Sequence, residues 1–583
     1  MMRSTLLALV STFALATAAA AQTAPTAQFD TQKLSEHIRI LGSDAFEGRA
    51  PNSAGETKTV AYLVDQFAKA GLQPGGVMVD GRQSWTQPVP LLKSEFTSPP
   101  RVTVSLGGKP VALSQGEEIA VRSPINGDKG IDLTKAELVF VGYGVKAPER
   151  GWDDYKGQDL TGKVLVMLVN DPDFEAKGES LEGEFGGKAM TYYGRWTYKY
   201  EEGARQGAAG VLVIHETAPA SYGWATVKNS NTNTMFDIVR ADPKASHPPM
   251  EGWIQRDLAA RLFADSGLNI DAMKKAARRK DFKPVTLKAR IDVKGMAKTE
   301  VITSQNVVGL LPGTTRPDET VIYTGHWDHL GIGLPDANGD KIYNGAIDNG
   351  TGIAHMIEQA RAFGSGPRPQ RSVVFLAVTA EEKGLLGSEY YAANPIYSPG
   401  KTAGVLNTDV MGVQGPARDY SIRGNQKFGL LDILAEEASR RGRRYTPDPK
   451  PETGGFFRSD HFTFAKAGIP ALSLSPGQDL VSGGVARAQA YQADYTARLY
   501  HQPDDEWSAD WDLTGMAADA ELLHAVGLRL ANSPDWPNWS EDSEFRAARD
   551  RSASERSVAA VPSASPPAPT PQPPLPARAG ERG

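Results

Sequence analysis

The stretch VIYTGHWDH, residues 321–329, is a short apolar run that leads directly into a turn containing histidine and aspartate. The same pattern recurs where the run 373–380 leads into Glu381 and Glu382, and where a third run ends just before Asp409. In open α/β sheets, sites form at the carboxyl ends of the strands. We therefore expect these three turns to converge at one edge of a sheet.

Segments with strand and helix patterns alternate from about residue 298 to residue 532, which indicates a mainly parallel mixed sheet flanked by helices. The predicted strands are 320–324, 372–378, 404–407 and 471–474, and the predicted helices are 352–363, 429–440 and 517–530. Helical spacing of apolar residues predicts two further helices near the start of the chain, at 31–41 and 54–70. The predicted fold class is α/β, with an inserted β-rich domain over about residues 125–295.

The composition excludes several kinds of site. The chain has 583 residues, which predicts two to four domains, and its net charge of −6 gives no reason to expect nucleic-acid binding. It contains no cysteine, which excludes thiol nucleophiles, disulfides, iron–sulfur clusters and cysteine-ligated zinc. Any metal site must therefore use aspartate, glutamate and the nine histidines.

The first residues have the pattern of a secretory signal peptide. Residues 1–21 contain Arg3, a short apolar run and three alanines before Gln22. The run is too short for a comfortable membrane span, and no later apolar stretch is long enough for one. We expect a periplasmic or secreted protein without a stable membrane anchor after signal cleavage. The sequence leaves the oligomeric state open.

Several carboxylates at one edge of a sheet repel one another. Such a cluster requires cations or shifted pKa values, and a pair of divalent metal ions provides the cations. Zinc accepts histidine nitrogen and carboxylate oxygen and leaves a position for water. The loop GAIDNGTG, residues 345–352, adds the carboxylate of Asp348 at the start of a predicted helix.

Five short motifs occur in a characteristic order: GHWD at 325–328, DNG at 348–350, EE at 381–382, NTD at 407–409 and YH at 500–501. With these motifs the chain resembles the M28 metallopeptidases, a family of di-zinc aminopeptidases and glutamate carboxypeptidases. Each motif alone is weak, but the ordered set is specific. The resemblance covers about 298–532 and the helices of 29–73. Residues 125–295 more loosely resemble a protease-associated (PA) domain inserted in such peptidases.

The resemblance implies two zinc ions per chain and assigns their ligands. Asp348 would bridge both ions. His326 and Asp409 would complete one site, and Glu382 and His501 would complete the other.

It also implies three supporting roles. Glu381 would be the general base, and Asp328 would hold the imidazole of His326 from outside the ligand set. Tyr500 matches a tyrosine that donates to the oxyanion in some members, whereas other members use a tyrosine elsewhere. From its place beside this motif, His329 is expected to support the site or the fold.

The resulting domain prediction has five segments: signal peptide 1–21, N-terminal part of the peptidase domain 22–124, inserted PA-like domain 125–295, catalytic peptidase domain 296–535 and disordered Pro/Ala-rich tail 536–583. The predicted activity is that of an aminopeptidase acting on peptide substrates. The alternatives are a glutamate-carboxypeptidase-like enzyme, a glutaminyl cyclase and an inactive receptor-like scaffold. For the first alternative, Arg423 and Arg458 lie in loops where they could bind a terminal carboxylate.

Overall fold

The computed structural model describes residues 29–556. Its α-helices, α1 to α14 in chain order, are Thr31–Leu41, Ala54–Lys69, Trp196–Arg205, Thr217–Ala220, Trp224–Asn231, Arg256–Asp265, Ile270–Ala277, Gly352–Ser365, Leu386–Ala393, Gly429–Ser439, His461–Lys466, Gly484–Asp494, Thr514–Asn532 and Arg546–Arg551. None of these helices is long and apolar enough to span a bilayer.

Seventeen strands belong to two large groups that one long strand connects, and six form three separate two-stranded pairs. In chain order, β1 to β23 are Gln73–Pro74, Met78–Val79, Arg82–Gln83, Thr86–Phe96, Arg101–Leu106, Lys109–Leu113, Ile119–Val121, Gly130–Phe140, Lys146–Ala147, Trp152–Asp153, Val164–Leu168, Gly210–His215, Met235–Ile238, Glu251–Gln255, Val285–Leu311, Arg316–His326, Gly331–Ile332, Ile342–Tyr343, Arg371–Val378, Thr402–Thr408, Asp419–Ile422, Arg444–Tyr445 and Ala471–Ser475.

The larger unit is built on four parallel strands in the order β19, β16, β20 and β23. Strand β15 adds an antiparallel neighbour on one side, and β21 adds one on the other. Alternate residues of these strands pack on opposite faces, since Val321 and Tyr323 belong to a different apolar cluster from Ile322. Burial on both faces explains the almost continuous apolar runs. The predicted α/β fold with a mainly parallel sheet is confirmed.

The two helices near the start of the chain begin at capping side chains. The side chain of Asp30 caps α1 by accepting from the N–H of Gln32, and Ser53 caps α2 by accepting from Glu56. Both helices bury one face in the larger apolar cluster, through Leu34 and Phe67 among others. They therefore belong to the same unit as the parallel strands.

The second unit is inserted between β4 and the second half of β15. Its core strands β8, β11, β12 and β14 are parallel neighbours, covered by α3, α6 and α7. Strand β15 joins the units, because its first part pairs with β5 and β8 and its later part with β4 and β19. The hairpin of β5 and β6 shares the apolar core of the insert. The predicted start at residue 125 is therefore too late, since the insert begins soon after Phe96.

The predicted disordered tail, 536–583, is wrong for residues 536–556. Trp539 is buried and stacks on Phe428, and the buried guanidinium of Arg549 in α14 donates to the carbonyl of Thr402. A few large side chains anchor this segment, although the average composition of the whole tail is that of a disordered region. Residues 1–28 and 557–583, which include the predicted signal peptide, lie outside the described residues.

Candidate metal centre

Two histidines face opposite oxygens of one aspartate. The Nε2 atom of His326 lies 3.4 Å from Oδ1 of Asp348 and 3.5 Å from Oδ1 of Asp409. The Nε2 atom of His501 lies 3.4 Å from Oδ2 of Asp348 and 3.0 Å from Oε2 of Glu382. Asp348 thus stands between two donor sets, each containing one histidine and one further carboxylate.

The sheet brings most of these residues together. His326 ends β16, Asp409 directly follows β20, and Glu381 lies three residues beyond the end of β19. The three turns converge at the carboxyl edge of the sheet, as the sequence pattern indicates. His501 comes from the loop between α12 and α13.

Asp348 lies in a tight turn, Ala346–Thr351, that directly precedes α8. The turn begins after Gly345, which has φ of 57°, and a Cβ atom at this position would lie 2.2 Å from the carbonyl oxygen of Asp348. Only glycine fits such a close approach. The local sequence therefore dictates how this carboxylate enters the site.

Three non-glycine residues at or next to the site have left-handed backbone conformations. Ala380 precedes Glu381 with φ of 52°, Val410 follows Asp409 with φ of 57°, and His501 itself has φ of 57°. A left-handed conformation is costly for residues with a Cβ atom, and most of all for a β-branched one. Strain of this kind clusters at functional sites, where the surrounding structure maintains it.

The two adjacent glutamates reach different histidines. Oε2 of Glu381 lies 3.8 Å from Nε2 of His326, whereas Glu382 faces His501. The carboxylate of Asp328 holds this turn by accepting from the main-chain N–H groups of Glu381, at 3.0 Å, and Glu382, at 3.4 Å. The side chains therefore diverge from a backbone that a third carboxylate positions.

Asp328 also orients His326, but with its main chain. Nδ1 of His326 lies 3.1 Å from the carbonyl oxygen of Asp328 and 3.7 Å from its carboxylate. Because a carbonyl oxygen only accepts, Nδ1 must carry a proton. When Nε2 is deprotonated, its lone pair then faces the carboxylate cluster.

Two residues without a signal in the sequence support His501. The hydroxyl of Ser230 lies 2.8 Å from Nδ1 of His501, and the amide of Asn229 donates to the His501 carbonyl at 3.0 Å. Both residues lie in α5 of the inserted unit. His329 also contributes here, because its Nδ1 lies 2.6 Å from Oε1 of Glu382. No local motif marks Ser230 or Asn229, since their role depends on the packing of the two units.

Two further residues that sequence analysis missed secure the turn of Asp348. The buried carboxylate of Asp505 accepts from the N–H groups of Ile347, at 2.9 Å, and Asp348, at 3.0 Å. The buried guanidinium of Arg49 donates to four carbonyls, those of Leu41, Trp327, Asn344 and Gly345. The position of Asp505 four residues after His501 is the one sequence signal that could have identified either residue.

The charges of the site favour bound cations. Burial lowers the pKa of His326, but Glu381 and the neighbouring aspartates raise it well above its usual value. Burial raises the pKa of Asp348, but the two histidines bring it well below its usual value. Burial and nearby carboxylates, despite His326, raise the pKa of Glu381 well above its usual range. Such a cluster attracts either protons or metal ions.

The donor atoms fit zinc in type and spacing. Tetrahedral zinc with bonds of about 2.0–2.1 Å places its ligand atoms about 3.3 Å apart. The nitrogen–oxygen distances within the two donor sets are 3.0 to 3.5 Å. Histidine nitrogen and carboxylate oxygen are also the ligands available in a chain without cysteine.

Two cavities meet at this cluster. The larger, about 1130 Å³, is lined by His326, Asp348 and Asp409, and the smaller, about 390 Å³, extends towards the inserted unit. Both are lined by Glu381, Glu382, Tyr222, Arg458, Tyr500 and His501. Both units thus form the walls around the site.

Comparison with known proteins identifies a family that matches part of the chain. Residues 306–525 match the model of peptidase family M28. These residues form an M28 peptidase domain. The match contains every residue of the two donor sets, and the family prediction is confirmed.

Relatives of the M28 domain are distant. Leupeptin-inactivating enzyme 1 of Streptomyces exfoliatus is 28% identical over 268 residues, 44% of this chain and 56% of that protein. A "Probable zinc metalloprotease" of Pyricularia oryzae is 36% identical over 107 residues, 18% of this chain and 21% of that protein. The chain thus spans about a fifth to just over half of these curated relatives.

A solved structure resembles nearly the whole chain. The aminopeptidase from Aneurinibacillus sp. strain AM-1 superposes with a TM-score of 0.52 at 20% identity and covers 88% of this chain and 96% of that one. At this identity the likeness establishes the fold alone. The M28 domain and its insert therefore have an architecture already known in one solved protein.

Proposed function

We propose that this chain is an exported, zinc-dependent exopeptidase that removes residues from the amino ends of peptides. The observation that carries the proposal is the position of Asp348, which presents one oxygen to each of two histidines at 3.4 Å. A carboxylate between two histidine-containing donor sets is suited to two metal ions. The M28 match and the zinc metalloprotease relative support zinc.

The proposed ligands are those of the two donor sets. One ion would be held by His326, Asp348 and Asp409, and the other by Asp348, Glu382 and His501. Bound zinc would supply Lewis-acid activation of water and of the scissile carbonyl.

Glu381 is the proposed general base. Its carboxylate lies 3.8 Å from Nε2 of His326, further than those of Asp348 and Asp409, and Asp328 fixes its main chain. It would accept the proton of the attacking water and deliver it to the leaving amine.

Tyr500 is the proposed oxyanion donor. Its hydroxyl oxygen accepts from Arg458 at 3.0 Å, which leaves the hydroxyl hydrogen free to point into the cavity. A positioned donor stabilises charge that develops on the carbonyl oxygen.

Peptide digestion tests this proposal. We expect the metal-loaded protein to release amino-terminal residues, and we expect N-acetylation of the peptide to block the reaction while C-terminal amidation does not. Release from the carboxyl end, with the reverse response to blocking, would favour the carboxypeptidase alternative. Cyclisation of amino-terminal glutamine would favour the cyclase.

The Glu381→Gln variant tests the base. Glutamine keeps the shape of the side chain but cannot accept the proton, so kcat should fall by about 10²–10⁴-fold. Metal content by elemental analysis should equal that of the unmodified protein. Full activity of this variant would refute the role of Glu381, and loss of metal would show that Glu381 is a ligand.

A further inference from the structure

One side chain joins the glutamate turn of the metal centre to the inserted unit. Lys383 directly follows Glu382, and its Nζ atom lies 2.7 Å from Oδ1 of Asn233 and 3.4 Å from the carbonyl oxygen of Ser230. Because an ammonium group only donates, the oxygen of the Asn233 amide must face it. Lys383 thus ties residues 381–382, in the larger unit, to a segment of the inserted unit.

The ammonium of Lys383 is largely buried and hydrogen-bonds to neutral partners. The residue is 7% exposed, and both of its acceptors are uncharged oxygens. Burial of a charge costs free energy unless hydrogen bonds or an ion pair compensate it. An apolar side chain of similar length, such as methionine, would avoid this cost. Hydrogen bonds between the two units are therefore what a lysine provides at this position and a methionine does not.

The same segment of the insert holds His501. Ser230 and Asn229 lie in the last turn of α5, and they contact Nδ1 and the carbonyl of His501 at 2.8 and 3.0 Å. Asn233 lies two residues beyond the end of α5. One short segment, residues 229–233, therefore contacts both parts of the chain that end in a ligand of the His501 set.

These contacts form a closed ring around one donor set. Oε2 of Glu382 lies 3.0 Å from Nε2 of His501, which brings the two ligand atoms together. Lys383 fastens the turn of the first ligand to segment 229–233, and Ser230 fastens the second ligand to the same segment. The inserted unit therefore helps to set the separation of these two ligands.

The spacing within the His326 set has a different origin. His326 ends β16 and Asp409 directly follows β20, and these two strands are parallel neighbours in one sheet. Hydrogen bonds between adjacent strands fix the spacing of the side chains at their ends. Loosening of segment 229–233 should therefore leave the His326 set unchanged.

We propose that Lys383 is a positioning residue that sets the spacing of Glu382 and His501 by binding Asn233 and Ser230. The proposal rests on the proposed function, since it takes these two ligands to hold a metal ion. Lys383 acts through the backbone of the glutamate turn and takes no part in the reaction itself. The affinity of one metal position thereby depends on a contact between the two units.

Matched substitutions at the far end of this contact test the proposal without changing the glutamate turn. Asn233→Leu has nearly the shape of asparagine but no acceptor, whereas Asn233→Asp keeps an oxygen that faces the ammonium. In Asn233→Leu the affinity of the His501 set for zinc should fall by about tenfold, while that of the His326 set stays unchanged. Asn233→Asp should keep the affinity of the unmodified protein. Chelator competition, followed as two steps, measures both affinities.

A double variant shows whether Lys383 and Asn233 act through one contact. Lys383→Met should weaken the His501 set about as much as Asn233→Leu. The double variant Lys383→Met/Asn233→Leu should be no weaker than either single variant, because one contact can be lost only once. The matched control is Glu389→Gln, which interrupts another contact between the units, the ion pair of Glu389 with Arg240 at 2.8 Å. Its two zinc affinities should not change.

Kinetics distinguish positioning from a general effect on folding. Excess zinc should restore kcat of Asn233→Leu while KM stays constant, since mass action refills the weakened position. Equal weakening of both metal positions, or additive effects at 383 and 233, would overturn the proposal. Unchanged zinc affinity in both Asn233→Leu and Lys383→Met would also overturn it. If Lys383→Met does not fold, the two Asn233 variants decide the question.

Zinc titration separates this proposal from the proposed function. If the unmodified protein binds two zinc ions but hydrolyses no peptide, the peptidase proposal fails, while a weaker His501 set in Asn233→Leu than in Asn233→Asp still supports the role of Lys383. If peptides are hydrolysed and these two variants bind zinc equally, the role of Lys383 fails alone. Absence of zinc from the His501 set of the unmodified protein would overturn both proposals.

Discussion

The two donor sets of the metal centre are supported in different ways. His326 lies at the end of a buried strand, and its Nδ1 is held at 3.1 Å by the carbonyl of Asp328, two residues further along the same turn. His501 lies in a loop, and its Nδ1 faces the hydroxyl of Ser230, 271 residues earlier in the chain. The histidine of one donor set is therefore held by a residue of its own turn, whereas the histidine of the other depends on contact between two structural units.

This difference gives the inserted unit a structural part in the site. Besides Ser230, the insert supplies Asn229, which binds the main chain of His501, and Tyr222, whose ring packs near that of Tyr500. Hydrogen-bond partners of metal-binding histidines fix their orientation and affect metal affinity. We therefore expect disturbance of the insert to weaken the His501 set and to spare the His326 set.

The largest expected effects come from neutralising one ligand in each set. Glu382→Gln should weaken metal binding in the His501 set, and Asp409→Asn should weaken it in the His326 set. Each should reduce activity by more than about 100-fold, since the outer-shell partners alone are typically worth 10–100-fold. Elemental analysis after dialysis should find one metal per chain in each variant, and excess zinc should restore part of the activity. Two metals per chain in either variant would contradict the ligand assignment.

Removal of the Ser230 hydroxyl should affect one set selectively. In Ser230→Ala the affinity of the His501 set for its metal should fall by about 10–100-fold, while the affinity of the His326 set stays unchanged. Competition with a chelator, followed as two separate steps, measures this. Ser230→Thr is the matched control because it keeps a hydroxyl, and it should retain most of the affinity. Equal weakening of both metals in the alanine variant would show that the sets are not independent.

A smaller effect on activity is expected from Asp328→Asn, which changes the turn that carries His326 and the main chain of Glu381. The carboxylate of Asp328 accepts from two main-chain N–H groups, and an amide replaces one of its oxygens with a donor. Loss of one such bond costs about 1–3 kcal/mol, so misplacement of Glu381 should lower kcat by about tenfold or more. Metal content should be retained. A loss of metal without a change in kcat per bound metal would assign Asp328 to metal binding instead.

Replacement of His247 in the insert should have the smallest effect on activity. It should, however, clearly lower the stability of the fold. Its imidazole lies 2.7 Å from Glu251 and 3.3 Å from Asp237. Burial lowers the pKa of His247, but these carboxylates raise it to about 9. A histidine with a raised pKa in the folded state stabilises the fold fully below its unfolded pKa of about 6.5, and this stabilisation disappears as the pH rises through 9.

Urea unfolding of His247→Gln tests this expectation. The variant should be less stable than the unmodified protein by about 2–3 kcal/mol at pH 6, and the difference should diminish above pH 9. His215→Gln is the matched control within the insert. Burial lowers the pKa of His215, so the effect of its replacement should change with pH in the opposite direction. The same pH trend in both variants would contradict the assigned ion pairs.

The sequence predicted the larger unit well because its signals are periodic and local. Helix α1 matches its predicted bounds, and the strands around Val321 and Val373 lie where their apolar runs indicate. The convergence of Asp409 with Glu381 and His326 also followed from the sequence, because parallel strands bring their carboxyl ends to one edge. Local pattern and chain topology agree in this part of the molecule.

Prediction was poorer wherever a contact joins distant parts of the chain. The insert begins soon after Phe96 because β5 and β6 complete its sheet, and this pairing leaves no mark in the hydrophobic pattern. The segment 536–556 is ordered because single large side chains such as Trp539 fill pockets in the larger unit. An average over composition cannot detect such individual contacts.

For the site, the sequence motifs are enough to identify the proposed metal ligands and the edge of the sheet where they meet. It does not reveal that Ser230 holds His501 or that Asp505 secures the turn of Asp348. Ligand sets follow from residue types at strand ends, which local sequence encodes. Hydrogen bonds and unpaired charges between distant segments arise from how the two units pack, and packing has no periodic signature in a single sequence.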